Sequence, residues 1–472
     1  MKKYTVPFLV VCSVAVLFAG CSRGPADYTA KFEPNLVHAM KYQIQEGISF
    51  EEALQDADWI VDGMFGTPDE PTLPDLLKTE DFADLISLDR IKKAAGPFGE
   101  GSGLYRKHCV SCHGITGNGR GENSAILDPY PRDYRLGIFK FKSTKRGAKP
   151  LREDLARSIR NGIDGTAMKK IPDLSEDDVQ ALVDYVIYLS IRGQVERALI
   201  DDAVNELDVS AGDRVVDRQF GDSIAGDGRA EVEKQAEAWT KEFEAQEEKL
   251  ADKSEEEQEA GLKALNDDPR AKMAKSLELY DEAMEYASDH LEEIASSWLD
   301  AEDEVVEVPE PPAGVPVANN FAEFQKLATG DQAEAMAASI KRGQELFTGK
   351  IAACSKCHGE KGLGDGQNKD YDDWTKDWTS LVGLKPEDTE SLIPLMARGA
   401  MPPKNALPRN FSEGVFRGGE SAADLYRRIS QGIEGSPMPA ATFVPGEYEQ
   451  DDIWHLINFV RSLKKVEPAE AI

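Results

Sequence analysis

This chain of 472 residues has only six cysteines and six histidines. Beyond its first twenty residues, no apolar run reaches the roughly eighteen positions that a membrane-spanning helix needs. Positive charge is also short. Lys and Arg number 55 against 86 Asp and Glu, a formal net charge of −31, so a nucleic acid is not expected as a partner because its phosphates would be repelled. The acidity fits a well-solvated surface. With 41% hydrophobic and 30% charged residues, the chain has enough apolar material for globular folding alongside long solvated stretches. Its length exceeds what one ordinary core accommodates.

What is present begins with Met1-Lys2-Lys3, an apolar run from about Val6 to Leu17, and Leu17-Phe18-Ala19-Gly20-Cys21. That is the charged, hydrophobic and small-residue order of an export signal. The last five residues resemble a bacterial lipoprotein cleavage box. The resemblance implies removal of residues 1–20, acylation of Cys21 and anchoring to a membrane by lipid, not by a helix. Ser22 after the cysteine resembles lipoproteins passed on to the outer membrane, which implies a periplasmic location. The cysteine count then closes: Cys12 leaves with the signal, Cys21 takes lipid, and the other four form two C-x-x-C pairs. None remains for a structural disulfide, so an exported protein of this kind has another use for its thiols.

Composition and periodicity divide the rest. Residues 21–97 form an N-terminal extension with helical periodicity around Leu36 to Gln43 and Phe50 to Val61, broken by Pro68 and Pro71. It is expected to pack on a first domain at 98–197. Residues 198–307 read as an acidic helical hairpin. Val232, Ala236, Trp239, Phe243 and Leu250 make one seam, and Met273, Leu277, Tyr280, Met284, Ala287, Leu291, Ile294 and Trp298 the other. Asn266-Asp267-Asp268-Pro269 supplies the turn between them. A Pro-rich stretch at 308–319 reads as a stiff spacer, followed by a second domain at 320–466 and a short tail at 467–472.

Cys109-Val110-Ser111-Cys112-His113 and Cys354-Ser355-Lys356-Cys357-His358 are both C-x-x-C-H, the haem-attachment signature. No βαβ pattern surrounds either pair, as a thioredoxin-like dithiol would require, and zinc pairs usually lie only about 15 to 20 residues apart. Around the motifs the chain repeats itself. Pro131-Arg132-Asp133-Tyr134 with Gly137-Ile138-Phe139 matches Pro408-Arg409-Asn410-Phe411 with Gly414-Val415-Phe416. Asn161-Gly162-Ile163-Asp164-Gly165-Thr166-Ala167-Met168 matches Gln431-Gly432-Ile433-Glu434-Gly435-Ser436-Pro437-Met438, and each Met precedes an acidic-capped helical pattern.

These residues resemble the class I cytochrome c family. The resemblance implies an all-α protein of two class I cytochrome c domains, with the extension and the acidic hairpin as additions. It also implies two covalently bound haem c groups, attached at Cys109, Cys112, Cys354 and Cys357. The implied axial ligands are His113 with Met168 and His358 with Met438. Met401, in an acidic insertion from about Asp365 to Leu407, is a rival to Met438 that lacks the repeated context. A His/Met pair raises a haem's potential and leaves neither iron face open, so electron transfer between respiratory redox partners is expected, with no catalytic residue and no small-molecule substrate. The alternatives are a haem-bearing subunit of a larger membrane oxidoreductase and a dihaem peroxidase. The basic cluster Lys140, Lys142, Lys145, Arg146, Lys149 and Arg152, with Lys169 and Lys170, offers either a solvated loop or a surface that steers an acidic partner.

Overall fold

The computed structural model describes residues 30–47, 51–96, 103–205, 229–367 and 369–465. Among them the regular structure is helical, with isolated bridges and no strand. The signal segment and Cys21 lie outside the described residues, as does the tail at 467–472. The α-helices are α1 (Leu36–Glu46), α2 (Glu51–Phe65), α3 (Leu88–Ala95), α4 (Leu104–His108), α5 (Val110–His113), α6 (Arg152–Asn161) and α7 (Glu176–Asn205). Then come α8 (Arg229–Leu250), α9 (Glu255–Asn266), α10 (Pro269–Leu299), α11 (Phe321–Thr329), α12 (Ala333–Thr348) and α13 (Ser355–His358). The last four are α14 (Asp373–Asp377), α15 (Thr389–Ala397), α16 (Ala422–Gln431) and α17 (Asp452–Ser462).

Helix α7 organises the first body. Ser175 and Asp178 start it with reciprocal bonds, Ser175 N–H to Asp178 Oδ2 at 2.9 Å and Asp178 N–H to Ser175 Oγ at 3.2 Å. Its stretch from Ala181 to Ile191 is apolar on nearly every side and buried throughout, so it must be covered all round. Helices α1, α2, α3, α6 and α10 do this. Charges on α7 are buried only with partners: Asp184 takes Arg152, Arg192 reaches Asp62 at 3.0 Å and Glu196 at 3.2 Å, and Glu196 accepts the Asn35 backbone N–H at 2.7 Å. The extension thus docks on the first domain, as its amphipathic periodicity implies. Helix α7 also continues to Asn205, past the boundary expected at 197.

The acidic hairpin acquires a third, short helix, α9, between its arms, capped by Ser254 and Glu257. Its long arm α10 is shared. Leu277 packs with Ala236 of α8, Tyr280 meets Trp59 of α2 edge-on at 4.9 Å, and Ala283 to Trp298 join the core around α7. The hairpin is therefore built into the first body.

In the second body α12 crosses α17 at Gly343, where an added Cβ would lie 2.0 Å from the His455 carbonyl oxygen and 2.7 Å from Phe459 Cβ. Only a glycine permits so close a helix crossing. The Pro-rich stretch is not a free spacer. Val308, Val315 and Val317 pack on Leu425, Tyr426 and Ile457, and Asn458 donates to the Pro316 carbonyl at 2.7 Å.

The acidic insertion crosses to the other body. Trp378, Leu392, Leu395 and Ala400 belong to the apolar core around α7, and Arg197 holds Asp377 at 2.9 Å. Further bridges join the repeats: Lys142 with Glu434, and Arg157 with Asp424 at 2.8 Å. Part of the basic cluster is engaged in contacts within the molecule. Lys145 pairs with Glu304, Arg152 with Asp184, and Lys149 donates to Gly137 and Gln194. Lys145, Arg146 and, beside Met168, Lys169 and Lys170 are exposed.

Candidate haem sites

Each C-x-x-C-H motif forms one short helical turn, α5 or α13, that ends on a glycine in a conformation with positive φ. Folded-back bonds then wrap the following loop onto the motif. Gly119 N–H donates to the His113 carbonyl at 2.9 Å and Gly121 N–H to that of Cys112 at 3.1 Å. In the second repeat Gly364 N–H donates to His358 at 2.8 Å and Gly366 N–H to Cys357 at 3.2 Å. The glycines are spaced for these bonds: a Cβ at Gly121 would lie 2.3 Å from the Val110 carbonyl oxygen, and one at Gly366 2.4 Å from that of Cys357.

The Pro-Arg-Asp/Asn-Tyr/Phe block holds the histidine. His113 Nδ1 lies 3.3 Å from the Arg132 carbonyl oxygen and His358 Nδ1 3.2 Å from that of Arg409. Tyr134 stacks on the His113 ring at 4.9 Å and Phe411 on the His358 ring at 4.7 Å. The same two residues anchor the block, Tyr134 N–H to Gly117 at 2.8 Å and Phe411 N–H to Gly362 at 2.8 Å. Burial pushes the His113 imidazole down to about 4 and lowers His358 as well, so both rings are neutral. With Nδ1–H donated to a carbonyl, Nε2 is left as the lone-pair nitrogen.

The methionine loops are likewise duplicates. Ile163 N–H closes one on the Met168 carbonyl at 2.8 Å, and Ile433 N–H closes the other on Met438 at 3.1 Å. Met168 N–H donates to Thr166 Oγ1 at 3.1 Å and Met438 N–H to Ser436 Oγ at 3.4 Å. Gly162 and Gly432 open the loops at φ of 71°, each where a Cβ would press within 2.7 Å of the returning backbone. Met168 packs with Cys109 and Val110 against the first core. Met401 sits elsewhere: its sulfur accepts from Ser124 of the first repeat at 3.8 Å.

All four motif cysteines are free and half-buried. Burial pushes the Cys109 thiol up to about 12 and the Cys354 thiol up to about 11. His38 and His290 are tied to Asp201 and Asp202, and His455 to Ser339, while His108 is exposed. In the sequence the Pro-Arg block is visible as a repeat but not in its purpose, which is exercised by a backbone carbonyl and an aromatic face.

The donor set suits a planar prosthetic group. Among the described residues no three of His, Cys, Asp and Glu converge on one point, so a metal at either histidine needs its other ligands from elsewhere. Paired thiols one turn from a neutral imidazole suit thioether attachment. Arg132 Nη1 and Arg409 Nε are buried without an acceptor among the described residues, and burial pushes the Arg132 guanidinium down to about 9. Such nitrogens suit an anionic edge, as haem propionates provide.

Residues 96–186 match the family described as Cytochrome C oxidase, cbb3-type, subunit III, and residues 340–464 match Cytochrome c. No curated protein matches. A chain of the solved Kuenenia stuttgartiensis reducing HAO-like protein complex Kustc0457/Kustc0458 is similar at 18% identity. It aligns over 80% of this chain and 97% of that one with a TM-score of 0.38, a likeness that carries no argument. With a cytochrome c match over each of its two motif-bearing repeats, the chain is a dihaem member of the cytochrome c family, an electron-transfer protein with two covalently bound haem c groups.

Proposed function

We propose that Cys109 and Cys112 attach one haem and Cys354 and Cys357 the other, with His113 and Met168 on one iron and His358 and Met438 on the second. The observation that carries this is the duplication of the frame: in both repeats a carbonyl fixes the histidine Nδ1–H, an aromatic ring backs the imidazole, and a closed loop ends on the methionine. When bound, haem c supplies a one-electron iron couple. The protein's part is to hold both axial positions. Thioether ligation favours the reduced iron and raises the potential, and an iron with both faces filled has no place for peroxide.

The chain on this reading relays single electrons between redox proteins in the periplasm, held to the outer membrane by lipid on Cys21. Membrane attachment by acyl chains fits an apolar leader ending in cysteine, each buried methylene adding about 0.8 kcal/mol. No described helix is long and apolar enough to cross a membrane.

The ligand assignment is tested in the near infrared, where thioether ligation to oxidised iron gives a weak sulfur–iron band. Met168→Ala and Met438→Ala each remove one contribution, while Met401→Ala leaves both. A high-spin haem that binds carbon monoxide readily in the parent protein would turn the reading to an enzyme. Cys21→Ala releases the protein into the soluble fraction. Unchanged membrane association, with a co-purifying catalytic chain, would make it a subunit of a larger oxidoreductase.

A further inference from the structure

The two repeats meet through a reciprocal contact. Ile138 of the first repeat reaches Gly435 in the second methionine loop, where an added Cβ would lie 3.2 Å from Ile138 Cγ2. Val415, which occupies the place of Ile138 in the second repeat, reaches Gly165 in the first methionine loop, with a corresponding 3.0 Å. Arg417 Nη2 donates to the Gly165 carbonyl at 3.0 Å. The contact is thus close to two-fold, the same patch used from both sides.

One residue breaks the symmetry. Trp374, on α14 of the acidic insertion, enters the junction on the Gly435 side. Its ring lies 3.6 Å beneath the Arg132 guanidinium carbon, and a Cβ at Gly435 would come within 2.4 Å of its Cζ3. Gly435 is buried there, whereas its counterpart Gly165 is exposed. The indole is held from both ends of its short helix: Asp372 accepts from Thr375 N–H at 3.0 Å, and Asp377 is bound by Arg197 of α7. A continuous line of contacts results, from His113 Nδ1 to the Arg132 carbonyl, from the Arg132 side chain to the indole, and from the indole to the loop that ends on Met438. On the other side, the side chains nearest a Cβ at Gly165 are Val415 and Arg409, neither of them aromatic.

We propose that Trp374 couples the two haem frames electronically, so that electrons delivered to one repeat cross to the other through the contact its indole makes. This rests on the ligand reading above. Electron tunnelling weakens steeply across gaps between non-bonded atoms and less through contacting π-systems, and Trp374 fills such a gap between the frames. One electron leaves one iron and one arrives at the other. No bond is made or broken, no proton moves, and the indole ends as it began.

The test uses the full haem-loaded chain with Trp374→Leu, which keeps an apolar side chain, and Trp374→Phe, which keeps a π-system. A flash-excited one-electron reductant loads the protein, and equilibration between the haems is followed by visible absorption. Both midpoint potentials and the near-infrared bands are measured in parallel. The expected result is loss of the fast inter-haem phase in Trp374→Leu, its retention in Trp374→Phe, and unchanged potentials and bands in both. A Trp374→Leu protein that keeps the fast phase, a Phe variant as slow as the Leu variant, or a slowing that merely follows a shift in the potentials overturns the proposal. Absence of the sulfur–iron bands from the parent protein would instead overturn the ligand reading.

Discussion

Gly343→Ala is the substitution whose cost the structure specifies best. In an open helix the change would gain about 1 kcal/mol of helix propensity. At Gly343 the new methyl would meet the His455 carbonyl oxygen at 2.0 Å and Phe459 Cβ at 2.7 Å, both on α17 and neither the far end of a flexible side chain. Relief therefore requires the helices to separate. Overpacking of this kind costs roughly 1–3 kcal/mol and sometimes more, and a backbone obstacle puts it at the upper end. The net loss is about 2 kcal/mol, or roughly 8 °C in the melting of a domain of this size. Gly63 on α2 provides the opposite case, since it is exposed and a Cβ there meets nothing within 4 Å. Gly63→Ala should stabilise by about 0.5–1 kcal/mol. Thermal melts of the haem-loaded chain, read by circular dichroism and visible absorption, compare the two. A Gly343→Ala protein that melts at or above the parent temperature would refute the crossing as described.

Three further outcomes are expected. Lys142→Met strands the Glu434 carboxylate at the junction of the repeats and should cost about 2–3 kcal/mol, since one partner of a mostly buried pair is lost; calorimetry should then resolve two transitions, and Lys142→Met with Glu434→Leu should restore most of the loss. Burial and the neighbouring Asp62 push Asp58 up to about 7 from an ordinary 3.8, so the folded state keeps a proton that the unfolded chain gives up. Stability from this group is therefore full at low pH and falls as pH rises through that interval; Asp58→Asn should flatten the change in urea midpoint between pH 5 and pH 8 and be the more stable protein at pH 8. Arg132→Gln removes a positive charge beside the first haem frame and should lower the potential of that haem alone, read by spectroelectrochemical titration; an unchanged potential would place the guanidinium's influence elsewhere.

The proposed haem sites are legible in the sequence because covalent attachment imposes a local pattern. Two thiols and a histidine must lie within one helical turn, and that requirement is written in five consecutive residues. Duplication carried the reading onward to Met168 and Met438. The role of Arg132 and Arg409 was not readable, because a carbonyl oxygen leaves no trace of its use in the residue type. Helical spacing likewise revealed that α10 has an apolar seam, but Leu277 facing α8 and Leu291 facing the α7 core look alike in sequence. The insertion was read by its acidity, while its docking is set by Trp378, Leu392 and Leu395, whose seat is formed by a body that precedes them in the chain. Lys142 and Lys145 show the same limit for charge: their partners, Glu434 and Glu304, are distant in sequence.

That seat has a consequence for biogenesis. Trp378 and Leu392 follow Cys109 by more than two hundred and fifty residues and lie beyond the second motif, so a chain delivered from its N-terminus brings them late. Until they arrive, the first repeat lacks the apolar wall that Trp378, Leu392 and Leu395 supply. A chain cut short after residue 320 retains the whole first motif yet never receives the plug. Such a fragment should stick to itself or to chaperones, and an added peptide spanning residues 369–405 should quiet it.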